Sequence, residues 1–297
     1  MDLTRNFIKA KSPCVDGFRW YLRNHAEISD YQGVLDSLVL AGRVEDACWL
    51  LAQFGPTSAV LQVDSIEADA VVFAGTIDAR GGIAVGTVVR AGRAIRSGGG
   101  IQAGTSIAAG ADIRSAGNLS SGDVIEAGGD VHAAWSIDAG GNIQCSHNLR
   151  ATRDVTCKGN LEVGGSIFVG EDLLVDGSLR CAKGLRIGGL LRAGQDVRAG
   201  EGLVCGGATE CGRHLEAGWG IKAGDRIVAA GAIRAGESLA AEGEIRAGLG
   251  YGVFAGLCVQ REAWECSARV SARARPDELM SGWWVEPSAA AHAAALD

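Results

Sequence analysis

Proline is nearly missing from this chain: four residues in 297, at positions 13, 56, 276 and 287. The long stretch between Pro56 and Pro276 can therefore offer every backbone N–H to a neighbouring strand, because proline cannot serve inside a sheet. Aromatic residues are also scarce, at 5% against 47% hydrophobic overall. An ordinary globular core of this size would use more of them. No run approaches about 18 consecutive apolar residues, so no membrane span is expected. The nine cysteines are an odd number and include no C-x-x-C pair. That excludes a zinc-ribbon pattern and points to free thiols in a reducing compartment. Met1–Asn6 has neither an apolar core nor a small-residue cleavage site, so we expect no secretory signal and a cytoplasmic location. The formal charge of -7 does not suggest a general polyanion binder.

Glycine, by contrast, is abundant: 45 residues, of which 39 fall within 77–257. Read in sixes from Ile77, the chain places an anchor at 31 successive positions without insertion or deletion, ending at Ile245, Tyr251 and Leu257. Twenty-nine of them are Ile, Leu or Val, the exceptions being Thr209 and Tyr251. A small residue follows two places later, as at Ala79, Ser97, Ala103 and Cys145, with Ile187 the large exception. Positions one and three then share a face, as a short strand requires. Glycine fills the fourth position in 19 of the 31 hexads, and Asn or Asp often fills the sixth. Both residue types tolerate a positive φ, so each hexad reads as one strand plus one corner. A helix fails, because a period of six walks around its surface and the glycines would melt it. Three edges closing a triangle give about 18 residues per coil and about ten coils. The expected fold is mainly β: a single-stranded, three-sided β-solenoid.

The flanks differ. Residues 1–57 read as a small α-helical cap, with helices expected over Cys14–His25, Gln32–Leu40 and Val44–Phe54, the last stopped by Gly55-Pro56. Docked on the first coil, this segment would cover open strand edge. Residues 58–76 read as transition strands, because Ile66 falls outside the register shared by Val71 and Ile77. The solenoid spans 77–257. Residues 258–297, with Trp264, Trp283 and Trp284, read as a C-terminal cap followed by an alanine-rich tail at Ala289–Asp297.

The run DIRSAG…GDVHA…SIDAGGNI, within residues 112–143, resembles the repeat of bactofilins, bacterial polymer-forming proteins with a right-handed β-helix core. The resemblance covers about 180 residues. It implies a right-handed solenoid and a structural, self-assembling role. This chain departs from that pattern in its strict six-residue count and in carrying flanks at both ends. Those flanks, GFRWYLRNH…DACWLLAQFGP and ARVSARARPDELMSGWWVEP, resemble the flanks of uncharacterised bacterial AG-repeat proteins. Hexapeptide acyltransferases share the repeat length. However, their left-handed repeat sets the small residue before the large one, and they extrude catalytic loops.

With three hexads per coil, every third second-position residue shares a face. One such column runs Asp78, Arg96, Arg114, His132, Arg150, Phe168, Arg186, Val204, Lys222, Ala240. Its members Arg96, Arg114, His132, Arg150, Arg186 and Lys222 form a possible ladder for an anionic partner. Alternatively, the column is a solvated face balanced by Asp112, Asp130, Asp154 and Asp172. Exposed apolar second positions at Phe168, Leu174, Val204 and Val228 form a possible contact patch. Hexads 143–160 lose their corner glycine to Ser146, Thr152 and Lys158, beside His147 and Arg153, which reads as repeat drift or as a local patch.

The histidines at 25, 132, 147, 214 and 292 do not fall on a common period, so no metal site is expected. Cys145, Cys157, Cys181, Cys205 and Cys211 occupy the small inward position and read as core fillers. No catalytic residues and no cofactor are expected. The expected function is a non-enzymatic scaffold whose faces meet a protein partner or a second copy. The alternatives are a hexapeptide-repeat acyltransferase and a solenoid that binds or mimics nucleic acid.

Overall fold

A strand of three residues buries only its first and third side chains, so a chain of such strands gains a core only by stacking coil on coil. The computed structural model describes residues 2–25 and 28–286, in two compact units, Met1–Gly129 and Asp130–Asp297. Both are β-solenoid. Each side of a coil joins one of three parallel sheets, and within each unit a solenoid strand pairs with the strand three places along the chain until the last two pairs of the second unit, which skip one strand only.

In the first unit the N-terminal segment holds four helices: α1 (Arg5–Ala10), α2 (Val15–Asn24), α3 (Tyr31–Leu40) and α4 (Val44–Phe54). The last three match the sequence expectation to within a residue. The short α1 and the antiparallel pair Asp2–Thr4 with Ile28–Asp30 were not foreseen. Side chains start three of the helices, with Thr4, Cys14 and Asp30 accepting from the N–H of Phe7, Gly17 and Gly33. Gly55, at φ +77°, ends α4.

The helices pack on the first coil through one apolar cluster that joins Tyr31, Leu35, Leu38 and Leu51 to Val72 and Ala74. Gln32 fixes the join. Its Nε2 donates to the Val72 carbonyl at 3.1 Å, and its Oε1 accepts from the Ala74 N–H at 2.9 Å. The side-chain amide thus stands where the next strand's peptide would be.

Residues 58–76 are already a coil rather than a transition. Leu61 stacks on Ile77, Ile66 on Ile83 and Val71 on Val89. Ile66 misses the hexad count only because the first corners are one residue shorter. From Ile77 the 18-residue register holds, as in Ile77↔Ile95 and Ile107↔Ile125.

In the second unit the same register runs from Val131↔Leu149 to Ile227↔Ile245. It then breaks. Ile233 pairs with Val253, Leu239 with Val270, and Val253 with Leu279. Tyr251 and Leu257, the last two anchors of the hexad count, are 47% and 54% exposed, whereas Val253 is fully buried. The segment after Leu257 continues the solenoid with longer excursions, including the helical turns Arg261–Ala263 and Trp264–Ser267, as far as Trp283–Trp284. The expected alanine-rich tail, Pro287 and His292 lie outside the described residues.

The corners work differently from the sequence reading. Among the described residues no fourth-position glycine has a positive φ, and the single non-glycine with one is Ser12. These glycines are required by stacking instead. A Cβ on Gly206 would meet the Gly188 carbonyl oxygen of the preceding coil at 2.0 Å. Asn and Asp at the sixth position likewise act between coils. The side-chain oxygen of Asn142 accepts from the Asn160 N–H at 2.8 Å, and that of Asn160 accepts from the Ser178 N–H at 2.9 Å.

Candidate functional site

Inside the coils the third position carries a recurrent polar device. The hydroxyl of Ser115 reaches two backbone carbonyls, Gly99 at 2.9 Å and Asn118 at 3.0 Å. The thiols of Cys157, Cys181, Cys205 and Cys211 repeat this geometry on the carbonyls sixteen residues before and three after. Cys145 is buried too, and burial pushes its thiol up to about 12. Desolvation also raises Cys157, Cys181 and Cys211. A buried thiol at physiological pH is then neutral and unreactive. Titration of the native protein with a thiol-exchange reagent should label Cys14, Cys258 and Cys266 quickly and Cys48 slowly, since only the first three are exposed. The five inward thiols should react only after denaturation.

Histidines are dispersed. His214 serves a corner: its N–H donates to Asp196, and its Nδ1 accepts from the Ala232 N–H at 3.1 Å. Burial lowers the pKa of His25. Among the described residues no three His, Cys, Asp or Glu side chains gather as a metal site would require. No helix among them is long and apolar enough to cross a membrane. Of the drifted corners, Ser146 and Thr152 lend their carbonyls to the Gly164 and Gly170 stacks, and Arg153 pairs with Glu171.

The column of second positions is real, and its members are successive register partners within each unit. In the first unit Asp78, Arg96 and Arg114 are aligned on one sheet. In the second unit the same kind of row runs His132, Arg150, Phe168, Arg186, Val204, Lys222, Ala240. Neighbouring rungs are about 4.8 Å apart.

The apolar patch, however, is not one patch. Phe168 and Val204 lie in this row, between its cations. Leu174 and Val228 lie on a different sheet, aligned with Arg192, Glu210 and Arg246. The row therefore alternates: Arg150, Phe168, Arg186, Val204 and Lys222 are all exposed. Phe168 is 42% exposed and Val204 40%, so each presents a large apolar surface between two positive charges.

Charge balance separates this row from the other two faces of the second unit. There, three second-position arginines find acids one coil away: Arg180 with Glu162, Arg198 with Glu216, and Arg192 with Glu210. Arg246 pairs with Glu244 in its own coil, and Arg234 makes no ion pair among the described residues. Arg226 and Arg192 together hold the Glu210 carboxyl below its usual range. Arg150, Arg186 and Lys222 make no ion pair among the described residues. Of the four aspartates expected to balance the column, Asp112 does pair, with Arg114 at 3.1 Å. Asp130, Asp154 and Asp172 accept from the N–H groups of Asn148, Asp172 and Leu190 at the corners.

No curated protein and no solved structure matches the chain. A family model described as the YdhT N-terminal domain matches residues 1–54, the segment that carries α1 to α4.

Proposed function

We propose that this protein is a structural scaffold whose solenoid face binds another protein, and that the row Arg150–Phe168–Arg186–Val204–Lys222 is its principal contact. The observation that carries this reading is the alternation of uncompensated cations with exposed apolar side chains at one-coil spacing. Cations spaced in this way steer an acidic surface, and the apolar residues between them supply area that water leaves on contact. The partner is an acidic protein surface or an acidic patch on a second copy of the chain, which carries a net charge of -7.

The basic row favours one second reading, nucleic acid. The two readings differ in their response to salt and to Phe168, because backbone phosphate contacts are electrostatic and salt-sensitive. Triple charge reversal, Arg150→Glu, Arg186→Glu and Lys222→Glu, should abolish self-association measured by sedimentation, or capture of an identified acidic partner. Phe168→Ala alone should weaken that contact by roughly tenfold, the scale of a buried aromatic anchor. Unchanged association after the triple reversal would sink the proposal. Binding of duplex DNA that disappears between 50 and 200 mM salt, on the order expected for several phosphate contacts and regardless of Phe168, would favour the second reading. Turnover of an acyl-CoA would refute both.

A further inference from the structure

A surface complementary to the basic row lies on the same unit. One corner stacks Gly165, Lys183, Glu201, Trp219 and Glu237 in a column, each N–H donating to the carbonyl of the member one coil before. The bond from Trp219 to Glu201 is 3.2 Å and that from Glu237 to Trp219 is 3.3 Å. Trp219 stands three residues before Lys222, and Glu201 three before Val204, so this corner adjoins the row. Both side chains lean towards it. A Cβ at Gly184 would lie 3.7 Å from Glu201 Oε2, and one at Gly202 would lie 4.0 Å from Trp219 Cε3. Those glycines directly precede the strands Leu185–Ile187 and Leu203–Cys205, which carry Arg186 and Val204.

Trp219 is 54% exposed, and Glu237 above it is exposed too. Neither Glu201 nor Glu237 makes an ion pair among the described residues. An indole left in water between two uncompensated carboxylates repeats the design of the row with the opposite sign. Arg150–Phe168–Arg186 reads cation, aromatic, cation; Glu201–Trp219–Glu237 reads anion, aromatic, anion. The stacking of coils sets the pitch of both strips at about 4.8 Å. Two strips of equal pitch match rung for rung without adjusting either backbone.

We propose that the corner strip of one copy docks on the basic row of a second copy. The inference rests on the row being a protein contact, and it names the partner. With the strips antiparallel, Arg150 meets Glu237, Phe168 meets Trp219 and Arg186 meets Glu201. The next rungs bring Val204 to Lys183 and Lys222 to Gly165, so no like charges meet. Trp and Arg are the residue types that carry most binding energy at interfaces, and here an aromatic pair sits at the centre with ion pairs shielding it from water. The two strips are different patches, so the contact is heterologous, and each copy of a docked pair keeps one strip unused.

Sedimentation velocity of the full chain tests the pairing. The wild type should self-associate as its concentration rises, and added salt should weaken the association, because the ion pairs lie at the surface. Reversing the row (Arg150→Glu with Arg186→Glu) or the corner (Glu201→Lys with Glu237→Lys) should each leave a monomer. Mixing those two variants should restore association, since every strip then finds one of opposite sign. Trp219→Ala, at an exposed site, should weaken self-association at least tenfold with an unchanged thermal midpoint. A wild type that stays monomeric, or a mixture that fails to associate, would overturn the docking. Association lost on reversing the row but kept on reversing the corner and in Trp219→Ala would uphold the row as a contact and remove the corner as its partner. Association indifferent to the row reversal would overturn both readings.

Discussion

Gly206→Ala should destabilise the protein, whereas Gly202→Ala, four residues earlier, should not. Both glycines have ordinary φ, so conformational freedom does not separate them. Their surroundings do. The added methyl at Gly206 meets the Gly188 carbonyl oxygen at 2.0 Å and its carbon at 2.9 Å, backbone atoms that belong to the coil beneath. At Gly202 the nearest atom is the Gly220 carbonyl oxygen at 3.5 Å, an ordinary contact. Gly188 is itself seated on Gly170, and Gly224 on Gly206, so the coil has no free direction in which to yield. Forcing atoms into such a stack costs about 1–3 kcal/mol. In a unit of this size that lowers the thermal midpoint by roughly 2–4 °C per kcal/mol. At Gly202, alanine should be neutral or mildly stabilising, because it narrows the unfolded ensemble. Equal midpoints for the two variants would disprove stacking as the reason for glycine at the corner.

Thr209→Val should move stability the other way. Thr209 occupies an anchor position between Leu191 and Ile227 and is fully buried. Among the described residues its hydroxyl has no partner. An unpaired buried hydroxyl costs about 1–3 kcal/mol, and valine has the same shape without it. Chemical denaturation should therefore show a gain of that order with no change in the slope that reports exposed surface. A loss on Thr209→Val would mean that the hydroxyl finds a partner in solution.

The period carried most of the architecture. An aliphatic anchor, a small third residue and a corner every six positions leave no other regular fold. Counting in eighteens correctly placed Arg96 on Arg114 and Arg150 on Phe168. The failures arose where the letters kept time but the backbone did not. Tyr251 and Leu257 continue the count on paper, yet the chain after Arg246 runs through Gly250 at φ +80° and brings Val253 inward instead. At the other end, five-residue spacing hid a true coil, since Ile66 is inward and stacked but one place later than the count from Ile77 and Val71 puts it.

The candidate site was half legible. Phe168 and Val204 were in the column with the cations, yet grouping residues by apolarity joined them to Leu174 and Val228, which a count of eighteen places on another face. What sequence could not supply was the use of the aspartates. Whether Asp154 and Asp172 neutralise a neighbouring arginine or hold the next coil's N–H is decided by corner geometry, and the structure shows the latter. The Gln32 clamp was equally hidden, because a lone glutamine gives no sign that it will complete a sheet edge.

The division of labour within each hexad has a further consequence. Anchors fill the interior, corners set the spacing between coils, and the third position takes a small apolar residue or a Ser or Cys that bonds two backbone carbonyls. The second position points outward and is released from that duty. A substitution there alters one rung of one face and leaves the stack beneath it intact. The solenoid is in this respect a surface that can be rewritten letter by letter, with the alphabet of its faces uncoupled from the grammar that holds it up.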